Sequence, residues 1–168
     1  MNNKLNIGLM GINGYYTTYV ESYRAAAAIY GLNIITDPIA QVTVEKGLSV
    51  EGILKILSSE KKNHETYYSI YITDDDIKDE KGTRIFGIAD PKLRIAVLSE
   101  RRLASDGKLA RERIMKEAAH LFGHFLGLGH CSDSGCIMSY ASELKQVDEK
   151  YPMLCSNCQQ QLKLFLGK

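Results

Sequence analysis

The chain has no tryptophan, only three prolines and no excess of charge: 21 Lys and Arg against 20 Asp and Glu leave a formal net charge of +1 over 168 residues. That balance removes the long-range field that gathers nucleic acid or an anionic membrane, and the basic residues alternate with acidic ones instead of forming a stripe. Neither nucleic acid nor membrane is expected as a partner. No apolar run approaches the ~20 residues that a bilayer-spanning helix needs; the uncharged stretch 25–33 is among the longest. The polar start Met1-Asn2-Asn3-Lys4 lacks a secretory pattern, so a cytoplasmic location is expected. A disulfide framework is not needed either, because one core in a chain this long buries roughly 70% of the unfolded surface.

Cysteine and histidine are also scarce, four of each, but seven of the eight fall within residues 120–158. In a reducing compartment thiolates crowded with imidazoles suit zinc better than disulfides.

Residues 4–12 alternate apolar and polar side chains and read as a first strand ending at Gly11 and Gly14. Residues 15–30, with four successive alanines, read as a helix stopped by Gly31. Residues 32–44, rich in Ile, Val and Thr, read as a strand or strand pair broken at Asp37-Pro38, and 49–62 as a second helix capped by Ser49. Further strands are expected at 67–73, 84–88 and 93–98, the last at an edge. Over 106–126 apolar residues recur at Ala110, Ile114, Ala118 and Phe122, one face of a helix. Beyond it the chain reads as loop until a short closing helix at 156–166. No repeat or linker divides the chain, which is expected to be a single α/β (α+β) domain, 1–168, and a monomer.

His120 and His124 stand at i and i+4 of the third helix, about 40° apart around it and ~6 Å along it, a separation one metal ion bridges. His130 lies six residues on, roughly 240° around a continued helix, so the chain must break and return; Gly127 and Gly129 permit the positive φ such a turn needs. Three neutral imidazoles leave a fourth tetrahedral position open, as catalytic zinc sites do. The alternative is two ordinary helix histidines and one loop histidine. Cys131 and Cys136, then Cys155 and Cys158, form two chelating pairs with the spacing of a closed four-thiolate zinc site, and Cys131 directly follows His130. Free core cysteines, adventitious disulfides or a redox pair at Cys155-Ser156-Asn157-Cys158 are the alternatives.

The stretch His120-Leu121-Phe122-Gly123-His124-Phe125-Leu126-Gly127-Leu128-Gly129-His130 resembles the metzincin zinc-binding consensus. With Cys131, Cys136-Ile137-Met138 and Cys155-Ser156-Asn157-Cys158 after it, the chain resembles the archaemetzincins, zinc metallopeptidases. The specific motifs lie within 106–158, with Lys116-Glu117-Ala118-Ala119 and the 73–87 region also similar. The resemblance implies a metzincin-like domain: a twisted mixed sheet with helices above an active-site cleft in an upper part, 1–127, and a small zinc-stapled lower part, 128–168. It implies two zinc ions, a catalytic one on His120, His124 and His130 and a structural one on Cys131, Cys136, Cys155 and Cys158. Met138 becomes the Met-turn residue beneath the first, and Tyr140, two residues on, a candidate oxyanion donor, the alternative being a tyrosine packed under the loop.

One position departs from the pattern. The residue after the first histidine is Glu in an active enzyme of this type and relays the proton; here it is Leu121. Glu117, one turn earlier, is expected beside the ring and not over the open position, as a solvated or supporting residue, while Leu121 and Phe125 are expected to form an apolar wall. Peptide hydrolysis is therefore expected to be weak or absent. The competing readings are a residual hydrolase, a catalytically silent module that binds a peptide or protein in the cleft, and a scaffold carrying structural zinc only. A strand within 84–98 is expected to offer its edge to extended peptide. Asp74-Asp75-Asp76 reads as a solvated loop, His64 as a surface residue at a helix end, and Asp37-Pro38 and Asp90-Pro91 as turns.

Overall fold

Strands buried on both faces, alternating with helices, organise the first hundred residues of the computed structural model, which describes residues 5–60 and 68–167, with the side chains of 37–41 outside the description. His64, Lys4, Tyr67 and the end of the helix expected at 49–62 lie outside the described residues. In chain order the elements are β1 (Asn6–Ile12), α1 (Val20–Ala28), β2 (Asn33–Val42), α2 (Val50–Glu60), β3 (Tyr68–Thr73), β4 (Ile77–Lys78), β5 (Arg84–Ile85), β6 (Gly87–Asp90), β7 (Ile95–Ser99), α3 (Ala110–Phe125), α4 (Leu144–Glu149) and α5 (Ser156–Phe165). The main sheet has the order β2-β1-β3-β7-β6, parallel except for β6, which runs antiparallel to β7 at the edge. The mixed sheet and its helices give the α/β class expected.

Successive residues of a strand face opposite sides, and both sides are covered. Ile7, Leu9, Ile70, Ile72, Ala96 and Leu98 share one core with α1 and α3; Met10, Ile12, Tyr71, Ile95 and Val97 share the other with α2. Burial on both faces explains why β7 is a continuous apolar run. It also corrects one expectation: the strand expected over 93–98 is interior, paired on both sides, and the edge belongs to β6. The strand expected over 84–88 changes partners at buried Phe86, its first half pairing with β4 in a two-stranded ribbon and the rest with β7.

Other boundaries move for local reasons. The first helix starts at Val20, not residue 15, because Asn13 and Gly14 take positive φ and the next side chains bond elsewhere. The Thr17 hydroxyl oxygen accepts the Tyr19 N–H, and Tyr15, Thr17 and Tyr23 all donate to the buried Glu100 carboxylate at 2.5–2.7 Å. The break expected at Asp37-Pro38 appears as a slip in register: Thr36 pairs with Leu9 but Gln41 with Gly11. Helix α4 was not expected; its signal is the reciprocal cap formed by Glu143 and Gln146.

Candidate metal centre and cleft

Helix α3 buries Ala110 at its start and packs Ile114, Ala118 and Phe122 against the sheet side that also carries α1. His120 and His124 occupy the adjacent stripe, one turn apart. The helix then stops in a Schellman closure: Gly127, at φ +81°, donates to His124 O at 3.0 Å and Leu128 donates to Gly123 O at 3.0 Å. Gly129, expected to share that role, has no positive φ. The return brings His130 to the other two, with ring centroids 4.6, 5.0 and 5.2 Å apart.

Their ligating nitrogens lie within 4.8 Å of one another, and the two Nε2 atoms of His120 and His124 are 3.0 Å apart. Zn–N bonds of ~2.05 Å in a tetrahedron set nitrogens roughly 3.4 Å apart, so the donor set fits a zinc ion with small adjustments. Two rings are aimed from behind: His120 Nδ1 lies 3.0 Å from Ile137 O and His124 Nδ1 2.8 Å from Leu128 O. A carbonyl only accepts, so Nδ1 carries the proton and Nε2 keeps its lone pair for metal. Burial, with the nearby Lys150 charge and His124, holds the His120 imidazole well below its ordinary range, and burial also lowers His124. Both shifts favour the neutral imidazole, the form that ligates.

The four cysteine sulfurs also lie within 4.8 Å of one another, with Cys131 Sγ 3.7 Å from Cys155 Sγ. Zn–S bonds of ~2.3 Å call for sulfurs roughly 3.8 Å apart, so this set fits zinc as well. The Met138 and Cys155 backbone N–H groups donate to Cys136 Sγ at 3.5 and 3.4 Å. Cys155 and Cys158 come from the start of α5, where the Cys158 N–H lowers the Cys155 thiol; burial raises Cys136 and Cys158. The two sites are joined twice, through the His130-Cys131 peptide bond and through the Cys131 N–H, which donates to Met138 O at 2.9 Å.

Met138 is fully buried, and a Cβ on Gly123, between the two helix histidines, would lie 2.2 Å from its sulfur, so a glycine there is what lets the loop press against α3. The Tyr30 hydroxyl donates to Ala119 O at 2.8 Å and touches Met138 Sδ at 3.6 Å, tying α1 to the same spot. Sequence reasoning passed over Tyr30, which carries no local signal.

A cleft of about 600 Å³ runs past the histidines, with Ile88 and Ala89 of β6 on one wall and Leu128 and Tyr140 on the other. Leu121 sits in it, 3% exposed, with Cδ1 so near β6 that a Cβ on Gly87 would be 2.9 Å away. Phe125, expected beside it, instead stacks on Tyr68 with centroids 4.5 Å apart, outside the cleft lining. Tyr140 is 56% exposed with its ring 5.4 Å from that of His130, not packed beneath the loop. Glu117 lines the cleft but is not solvated: it is buried and receives Lys150 Nζ at 2.8 Å. Burial pushes its carboxyl up against the pull of Lys150. Asp74, Asp75 and Asp76 are exposed, and Asp90 Oδ1 closes the turn expected there by accepting from Lys92 and Leu93.

The sequence profile described as Peptidase family M54 matches residues 91–164, the stretch holding every residue of both clusters. Archaemetzincin of Pyrococcus abyssi is 34% identical over 164 residues, covering 94% of this chain and 86% of that protein. Archaemetzincin of Aeropyrum pernix is 43% identical over 84 residues, and the matched part spans about half of that relative, 46% of its length. The crystal structure of archaemetzincin from Methanopyrus kandleri superposes with a TM-score of 0.82 at 25% identity, covering 99% of this chain and 98% of that one.

Proposed function

Since the chain belongs to the archaemetzincins, we propose that it binds zinc at His120, His124 and His130 and holds peptide in the cleft while hydrolysing it weakly or not at all. The observation that carries this reading is the place of Leu121, an apolar side chain buried in the cleft wall directly after the first ligand. Zinc held by three imidazoles supplies Lewis-acid polarisation of a peptide carbonyl and a more acidic water. Leu121 has no lone pair with which to take a proton from the attacking water or pass one to the leaving amine. Glu117 does not take over, because its carboxylate is committed to the Lys150 ammonium. A positioned acid/base contributes ~10²- to 10⁴-fold, and that is the deficit expected here.

The other residues take supporting roles. Ile137 and Leu128 orient the two helix imidazoles through their carbonyls. Met138 forms the apolar floor of a Met-turn, and Tyr140, exposed beside His130, offers its hydroxyl to a developing oxyanion. Cys131, Cys136, Cys155 and Cys158 hold a second, structural zinc that staples a lower part, 128–168, to an upper part, 1–127. Four reduced thiols suit the cytoplasm. No helix among the described residues is long and apolar enough to cross a membrane. The edge of β6 is free to add an extended peptide as a further strand.

The decisive variant is Leu121→Glu, assayed for peptide cleavage beside the unchanged protein with metal content measured on both. Two zinc ions per chain in each, with cleavage appearing only in the variant, is the expected result. Zinc-dependent turnover in the unchanged protein at a rate the variant does not exceed refutes the proposal, and one zinc per chain, lost on replacing cysteines but not histidines, leaves a scaffold with structural zinc only.

A further inference from the structure

The two walls of the cleft come from chain segments more than forty residues apart, one from β6 and the residues before it, the other from the loop through Tyr140 and Ala141. The Arg102 side chain touches both. Arg102, just after β7, lays its guanidinium over the Phe86 ring with Cζ 4.4 Å from the centroid, and Phe86 lines the cleft at the head of β6. The same guanidinium donates through Nη2 to Ser142 O at 3.1 Å, two residues past Tyr140, and stands 3.7 Å from the Glu143 carboxylate. The Arg102 side chain is only 21% exposed. Other links from the lower part, Arg113 with Asp148, Lys116 with Asp148 O and Lys150 with Glu117, end on α3, and Met138 with Tyr30 ends beside α1; none of these four reaches the β6 wall.

We propose that Arg102 is a positioning residue that sets the width of the peptide cleft by tying the edge-strand wall to the Tyr140 wall. The planar fork suits this role because it stacks on an aromatic face while its edge donates in plane, which the point charge of a lysine cannot do at once. A ligand that reaches only the metal is indifferent to that spacing. A ligand that lies along β6 and also touches the Tyr140 loop depends on it. The inference rests on the reading of the cleft as a peptide site.

The test uses the zinc-loaded full chain and two probes sharing one metal-binding group: acetohydroxamate, which is small, and the tripeptide hydroxamate Pro-Leu-Gly-NHOH, which extends along the cleft. For Arg102→Met, with two zinc ions per chain retained, the tripeptide probe should bind about tenfold more weakly, the scale of one charge-assisted hydrogen bond with a cation–π contact, while acetohydroxamate is unchanged. Arg102→Lys should fall between, and serves as the second variant if Met impairs folding. Equal binding of the tripeptide probe by variant and parent overturns the proposal. So does equal weakening of both probes, which marks a general structural role. If neither probe binds the zinc-loaded parent, the peptide-cleft reading itself fails and the proposal falls with it, a result distinct from the other two.

Discussion

A buried carboxylate and ammonium stabilise a fold only while both are present. Lys150 Nζ is fully buried and Glu117 nearly so, and each is the other's ionic partner. Replacing Lys150 by Met leaves an uncompensated buried carboxylate and should cost about 3–5 kcal/mol, whereas Glu117→Gln with Lys150→Met should recover most of that; urea unfolding of the three proteins checks both numbers. His120 bears on pH in the same way. Its folded pKa lies well below the ordinary 6.5, so the unfolded chain takes up a proton that the folded chain refuses. Metal-free protein should therefore hold this contribution above pH 6.5 and lose it progressively as the pH falls below that value. Glu117, raised by burial, titrates with the opposite sign and is common to parent and variant. Unfolding free energies between pH 8 and pH 5.5 should fall less steeply for His120→Asn than for the parent, and identical slopes would contradict the assignment.

At the scale of the element, the end of α3 decides whether three histidines become a site. A continued helix carries His130 away from the others; the Schellman closure at Gly127 turns it back. Gly127→Ala forces an L side chain into φ +81° and should cost about 1–2 kcal/mol. A Cβ there also meets the Phe165 ring at 2.7 Å, but Phe165 is 58% exposed and free to swing out. Adding Phe165→Ala should thus restore little, and a full rescue in thermal melts would show that the ring and not the backbone sets the cost. The histidine spacing, the cysteine pairs and the turn were legible along the chain because helical periodicity and metal chelation are local properties. The partners of Glu117, the interior place of β7 and the hydroxyl cage around Glu100 were not, since each depends on residues more than twenty positions away.

Over the whole molecule, the sheet with α1, α2 and α3 forms two apolar layers, while residues 128–168 contribute a smaller buried set around Ile137, Met138, Val147 and Leu154. Stripping metal with a chelator should leave the sheet folded and expose the rest: limited proteolysis is expected to cut metal-free protein within 128–168 and zinc-loaded protein far more slowly, with fragments mapped by mass spectrometry. Cuts spread evenly through 5–60 would overturn that division of stability. Seen at this scale, the order of donors along the chain was enough for the chemistry, because which atoms can hold zinc, and whether a carboxylate follows the first histidine, are matters of residue identity and helical spacing. Only tertiary packing decided what surrounds that chemistry: which strand forms the edge, that Glu117 is spent on Lys150, and that Arg102 reaches both walls. Those facts arise from distances between segments far apart in the chain, and no local pattern encodes them.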